Sequence, residues 1–295
     1  AGRRYEIVLR NTTDRRVAVV LSVDGLNVMS GERGPEYLES VYLFGTPDEI
    51  VAGRRFFYGG ATSGHGDQAC ASCHFYGDMD NLAWDLGDPT GTMAPVPSGM
   101  IDPLLTPMHP MKGPMTTQSL RAIGSTGVLH WRGDRNNFPA FIGATKSLLG
   151  LSSPIPDSEM VAMQQFVLPL VYPPNPRQRL DRSFPDAPTG QPSAERGRLF
   201  YVNTPVDGAR PCAFCHALPS GTNGQSIDRV ALRESQDMKV PQLRNLYRKT
   251  GFTDAIGAVN KRGAGFTHDG ATDNLFDFHC HFAIHRPRKP MANDC

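Results

Sequence analysis

The spacing of apolar and polar positions divides the chain into a β-rich start and a helical remainder. Tyr5-Glu6-Ile7-Val8-Leu9-Arg10 and Arg16-Val17-Ala18-Val19-Val20-Leu21-Ser22-Val23 are β-rich runs separated by the turn formers Asn11-Thr12-Thr13-Asp14, which predicts a hairpin, and Asp24-Gly25 can start a further turn. From Thr46 onward these signals give way to short helical patterns joined by loops. Gly53-Arg54-Arg55-Phe56-Phe57-Tyr58 and Gly197-Arg198-Leu199-Phe200-Tyr201 read as two helices. Ser158 to Leu170 reads as a third, with Asp157 or Ser158 as N-cap and Glu159 in the first turn, where negative charge is favoured. Val171-Tyr172-Pro173-Pro174-Asn175-Pro176 and Asp186-Ala187-Pro188-Thr189-Gly190 mark a linker. The expected class is mainly α: a β-rich segment 1–45, a first domain 46–172, a linker 173–192 and a second domain 193–295 ending in an irregular tail.

The two domains read as a duplication. Met115-Thr116-Thr117-Gln118-Ser119-Leu120-Arg121 matches Met238-Lys239-Val240-Pro241-Gln242-Leu243-Arg244, and Trp131-Arg132-Gly133 matches His268-Asp269-Gly270. With the two helices and the cysteine motifs described next, four landmarks recur in the same order. Loop insertions account for the unequal spacing.

Each predicted helix is followed by Cys-x-x-Cys-His: Cys70-Ala71-Ser72-Cys73-His74 and Cys212-Ala213-Phe214-Cys215-His216. Two cysteines on one turn can each reach a vinyl carbon of one porphyrin, and the following His then points at the iron. Convergence of Cys70, Cys73, Cys212 and Cys215 on one zinc ion is the alternative, and a thioredoxin-like redox pair is a weaker one. The His after both pairs and the duplicated flanks favour two covalently bound haem c groups, held by His74 and His216. Composition agrees: apolar residues are only 39% of 295, with 30 Gly and 25 Pro, so a porphyrin would supply core that the side chains do not. A net charge of +1 gives no argument for nucleic acid. No run is long and apolar enough for a membrane span, and Ala1-Gly2-Arg3-Arg4 lacks the apolar core of a signal peptide.

From Thr46 to Phe278 the chain resembles the diheme cytochrome c peroxidase superfamily, which includes diheme enzymes that oxidise protein tryptophans. The likeness is carried by Gly113 to Arg121, His130-Trp131-Arg132-Gly133-Asp134-Arg135, Val240 to Asn245, and Phe266-Thr267-His268-Asp269-Gly270. It implies two cytochrome-c-like helical domains in tandem, with Arg121 and Arg244 near haem propionates. It also implies export, hence a periplasmic or extracellular location, and a calcium ion between the domains as a further cofactor to look for. The expected partner is a small cytochrome or copper protein, or a larger assembly joined through the N-terminal hairpin. Single-electron transfer is the leading expectation and peroxide reduction the alternative.

Two regions depart from the family. Peroxide cleavage needs a positioned acid-base group, yet Leu129 and Pro139 stand where the family has a glutamine and a glutamate, which leaves His130, with Asp134 and Arg135, as the catalytic candidate. Sixth ligands remain open. For the first haem they include His109, Met111 and Met115, beside His65, His130, Met93, Met100 and Met108; for the second they are His281, then His279. The tail Phe278-His279-Cys280-His281-Phe282-Ala283-Ile284-His285 is locally similar to the copper-binding end of multicopper oxidases, but the additional His-x-His pairs are missing. In an oxidising compartment Cys280 and Cys295 can pair.

Overall fold

The computed structural model describes residues 22–23, 26–27, 47–86, 114–172 and, with short gaps at 173–174, 176–177, 180–182, 207–208, 233–235, 254 and 256–257, residues 175–281. Of the expected hairpin only the end is described: β1 (Ser22–Val23) pairs antiparallel with β2 (Leu26–Asn27), on either side of Asp24-Gly25. The runs 5–10 and 16–20 lie outside the described residues.

Helix α1 (Pro47–Tyr58) carries Asp48 and Glu49 in its first turn and Arg55 in its last, charges that complement the helix dipole. It packs against α3 (Asp157–Val167), and Phe57, Met160, Met163 and Val167 from the pair form a buried core with Ile123, Leu129, Phe138 and Ile155. Glu159 takes its expected place in the first turn of α3. The N-cap is a correction: it is Pro156, so the helix starts one residue early and neither Asp157 nor Ser158 caps it. A short α2 (Ile142–Ser147) runs between them in sequence.

The second half opens with α4 (Ala194–Asn203), whose N-cap Ser193 accepts from Arg196 N at 3.1 Å. Part of the expected linker is fastened to this helix: the Arg196 guanidinium bonds Asp186 Oδ1 at 3.0 Å and the carbonyls of Ala187 and Gln191. Then follow α5 (Cys212–Cys215), α6 (Arg229–Leu232), α7 (Leu246–Lys249) and α8 (Leu275–His281). No side chain of α4 is buried.

Two antiparallel ladders were not foreseen. In the first half β3 (Ala83–Trp84) pairs with β4 (Met115–Thr116); in the second β5 (Ser226–Ile227) pairs with β6 (Met238–Lys239), in the same register. Each ladder continues by one equivalent bond, Thr117 N to Leu82 O at 3.2 Å and Val240 N to Gln225 O at 2.8 Å. Each half also closes an equivalent loop, bridged at Leu129–Arg135 and at Phe266–Thr272. The duplication read from sequence is therefore a duplication of backbone.

The halves grip one another reciprocally through these parts. Thr116 N donates to His268 O at 2.6 Å, and its counterpart Lys239 N donates to Trp131 O at 2.7 Å. The rings of Trp131 and His268 meet edge to face at 6.4 Å. Trp131 Nε1 further donates to Thr116 O at 2.7 Å, while Gln242 Nε2 reaches Arg121 O at 3.3 Å and its Oε1 accepts from the buried Tyr172 hydroxyl. Each loop thus docks in the other half, and polar backbone at the seam is satisfied across it.

Candidate functional site

Both Cys-x-x-Cys-His motifs fold as one tight turn. His74 N donates to Cys70 O and His216 N to Cys212 O, each at 2.9 Å, which brings both cysteines and the histidine of a motif round one turn. All four cysteines are half-buried, and among the described residues no three His, Cys, Asp or Glu side chains converge as they would on a metal ion. The four thiols therefore do not form the zinc site considered above. Burial against the first-half core pushes the Cys70 thiol up to about 11, with its Sγ 3.6 Å from Met163 Sδ. A thiol so placed is inert as a nucleophile unless its surroundings change.

The two histidines are held differently. His216 Nδ1 faces two backbone carbonyls, Gly221 O and Pro241 O, both at 3.1 Å, so Nδ1 carries the proton and Nε2 is left with a lone pair. Tyr201 from α4 donates its hydroxyl to His216 O, which fixes the turn from the other side. His74 Nδ1 is buried with no partner at hydrogen-bonding geometry, although the backbone at Gln118, the counterpart of Pro241, and at Asp78 is near enough to favour its protonated form. Burial outweighs that influence and pulls both imidazoles below their ordinary pKa, which keeps them neutral. A neutral imidazole with Nδ1 engaged by the main chain is the form that binds a metal.

Do these residues fit a haem? Three features say that they do. The motif turns present both thiols and an oriented Nε2. Both halves leave large apolar side chains uncovered around their motifs: Phe75 is 54% and Tyr76 76% exposed in the first, Phe200 53%, Phe214 51% and Leu218 60% in the second. Finally, the buried His74 Nδ1 without a partner sits in a motif whose twin is fully bonded, so a small shift on filling the site would close the same bond. Cys70, Cys73 and His74 would hold one group; Cys212, Cys215 and His216 the other.

Arg121 and Arg244 occupy equivalent places. Arg121 Nε and Nη2 donate to Tyr76 O at 3.3 and 3.2 Å, and Arg244 Nη1 to Pro219 O at 2.9 Å, so each clamps the loop that leaves its own motif. Sequence reasoning missed Asp78. This carboxylate, 3% exposed, accepts from Asn245 Nδ2 at 3.0 Å and Arg248 Nε at 3.2 Å and lies 3.7 Å from Arg121 Nη1. Its lack of a counterpart in the duplicated segments was the available signal.

His130 Nδ1 is 2.7 Å from Asp134 Oδ1, and Asp134 Oδ2 pairs with Arg132 at 2.7 Å and Arg135 at 2.9 Å. Burial raises the Asp134 carboxyl, but the bond from His130 and the neighbouring positive charges outweigh it and hold the group below the usual range. Burial lowers His130 despite that carboxylate, leaving a neutral ring with Nε2 unprotonated. The left-handed backbone at His130 (φ 73°) is shared by Thr267 (φ 67°) and belongs to the bridged loop rather than to the histidine. Leu129 is a core residue bonded to Arg135, and Pro139 opens the turn before α2; neither offers a proton.

Of the sixth-ligand candidates, Met115 lies in β4 opposite Trp84, and its counterpart Met238 is buried in β6. His279 lies on α8 with its ring against Phe278, and burial lowers its pKa. His109 and Met111 are outside the described residues, as are the side chains of Cys280 and His281 and everything after 281. A small pocket at the seam is lined by Met79, Asn81, Thr116, Lys249, Arg262 and Gly265 among others. Lys249 Nζ fills its oxygen-bearing side, 3.2 Å from Gly265 O and 3.4 Å from Thr116 Oγ1. Two cationic side chains and no carboxylate do not suit calcium, which takes anionic oxygen ligands.

No protein-family profile and no curated protein matches the chain. Similar solved structures include hydrazine synthase of Kuenenia stuttgartiensis, at 15% identity over 94% of this chain and 89% of that one, with a TM-score of 0.52. A MauG-like protein associated with microbial copper homeostasis matches at 15% identity, 94% and 81% coverage and a TM-score of 0.44. The diheme peroxidase BthA from Burkholderia thailandensis matches at 16%, 90% and 78%, and 0.42. At 15% identity and a TM-score of 0.52, what the chain shares with the hydrazine synthase is a fold.

Proposed function

We propose that the chain is an exported diheme c-type cytochrome that passes single electrons between redox partners, with the two haem units falling within 46–172 and 193–295. The observation that carries this is the pair of Cys-x-x-Cys-His turns at equivalent positions of a duplicated backbone, with His216 Nδ1 bonded to main-chain carbonyls. Haem iron, when bound, supplies reversible one-electron chemistry whose potential follows its axial ligand and surroundings. The chain's part is to orient His74 and His216, to exclude water through the α1–α3 core, and to hold the two sites together through the Thr116–His268 and Lys239–Trp131 bonds. Among the described residues no helix is long and apolar enough to cross a membrane. A small cytochrome or copper protein is the partner this chemistry calls for.

A peroxidase reading has one observation in its favour: Asp134 orients His130 so that a neutral Nε2 is free to accept a proton. Against it stand Leu129 and Pro139. Optical and EPR spectra of the purified holoprotein separate the two. Electron transfer alone predicts low-spin haem in both redox states and no peroxide-dependent oxidation of reduced cytochrome c. A high-spin ferric haem that binds cyanide, with peroxide turnover abolished in His130→Ala, would overturn it in favour of the enzyme.

A further inference from the structure

The seam between the halves is symmetric in its backbone but not in its charges. Four residues after His74 stands Asp78; four residues after His216 stands Ser220, which is uncharged and donates its hydroxyl to Thr222 O at 3.0 Å. The Asp78 carboxylate is withdrawn from solvent and fixed by Asn245 and Arg248 from the second half and by Arg121 from the first. It is therefore rigidly placed, and a buried charge is screened far less than an exposed one. The turn that carries it is closed by Gly77 N to His74 O at 2.9 Å and Asp78 N to Phe75 O at 2.8 Å, so Asp78 stands one turn beyond the residue that would hold the first iron.

An oxidised haem carries one more positive charge than a reduced one. A fixed negative charge beside it favours the oxidised form and lowers its potential. Arg121 and Arg248 offset part of that field, but they remain when the carboxylate is removed. Neutralising Asp78 therefore shifts the local charge by one unit in the positive direction, whatever the arginines contribute.

We propose that Asp78 sets the two haem sites apart, holding the first at a lower potential than a neutral residue would and so biasing a single electron toward the second. This rests on the diheme assignment. Asp78 acts here as a positioning charge on the His74 side, touching neither substrate nor iron, and Ser220 marks the site where the second half omits it.

Spectroelectrochemical titration of the holoprotein, with the haem content of each sample measured alongside, tests this. Asp78→Asn keeps the shape of the side chain and is expected to move one of the two reduction waves upward while the other stays in place. Ser220→Asp, made in the wild-type background, is expected to move the other wave downward, and it serves if Asp78→Asn does not fold. Two haems per chain with neither wave moved, with both moved equally, or with both variants acting on one wave, overturns the proposal while leaving the diheme assignment standing. Fewer than two haems in the wild type overturns the assignment and the proposal together.

Discussion

Gly53 and Gly197 occupy the same place in the duplicated helices, yet replacing each by alanine should have opposite effects. A Cβ on Gly53 would lie 1.8 Å from the carbonyl oxygen of Ala162 and 2.9 Å from Phe166 Cβ; on Gly197 it meets nothing within 4 Å among the described residues. Ala162 O is main chain inside α3, so it cannot swing aside. The helices must part by roughly 1.5 Å to restore ordinary contact, and a gap of about half that already forfeits much of the dispersion attraction across an interface. Phe57, Met160, Met163 and Val167 meet at that crossing, so the loss is on the scale of one large core side chain, about 3–5 kcal/mol. Better helix propensity returns about 1 kcal/mol. Gly53→Ala should therefore destabilise by about 2–4 kcal/mol, and Gly197→Ala should stabilise by up to about 1 kcal/mol. Denaturant unfolding of both variants, at equal haem content and followed by far-ultraviolet circular dichroism, gives the comparison. A Gly53→Ala protein as stable as wild type, or shifts of the same sign in both, would refute the close α1–α3 crossing.

Two further outcomes follow from the seam. Burial pushes Lys239 down to about 8, with its Nζ 2.7 Å from Val128 O, so between pH 8 and its ordinary 10.5 the unfolded chain binds more protons than the folded one. Wild-type stability should accordingly rise relative to Lys239→Met over that window, by at most about 3 kcal/mol; a gap between the two proteins that stays constant from pH 7 to 10.5 would contradict it. Lysine already fills the seam pocket, so treatment with a calcium chelator, followed by calcium, should leave the melting temperature and haem spectra of the wild type unchanged. A calcium-dependent rise in melting temperature would show the opposite.

Much of the candidate site was legible because its signals are local. Cys-x-x-Cys-His needs only one turn to state its chemistry, and Gly53 and Gly197 announce their helices through neighbouring residues alone. The four repeated landmarks were visible as words in the chain, and the structure gave two of them a role at the seam: Met115-Thr116 and Met238-Lys239 are ladder strands, and Trp131 and His268 lie in the loops exchanged across it. What stayed hidden depends on residues far apart in sequence. Two-residue strands such as Ala83–Trp84 carry no readable alternation, since their pairing is set by a partner strand some thirty residues away. Asp78 looked like an ordinary loop carboxylate because Asn245 and Arg248 reach it only after the halves close. Pro156, not Asp157, caps α3 because the chain enters extended there, a backbone property that composition does not report.

The most direct test of the central claim is the haem count of the purified protein, from intact mass and pyridine haemochrome absorbance on the same sample. Two covalently bound haems per chain are expected, with one lost in Cys70→Ala/Cys73→Ala and the other in Cys212→Ala/Cys215→Ala. A mass equal to the bare polypeptide, or one unchanged by either pair of substitutions, would contradict it.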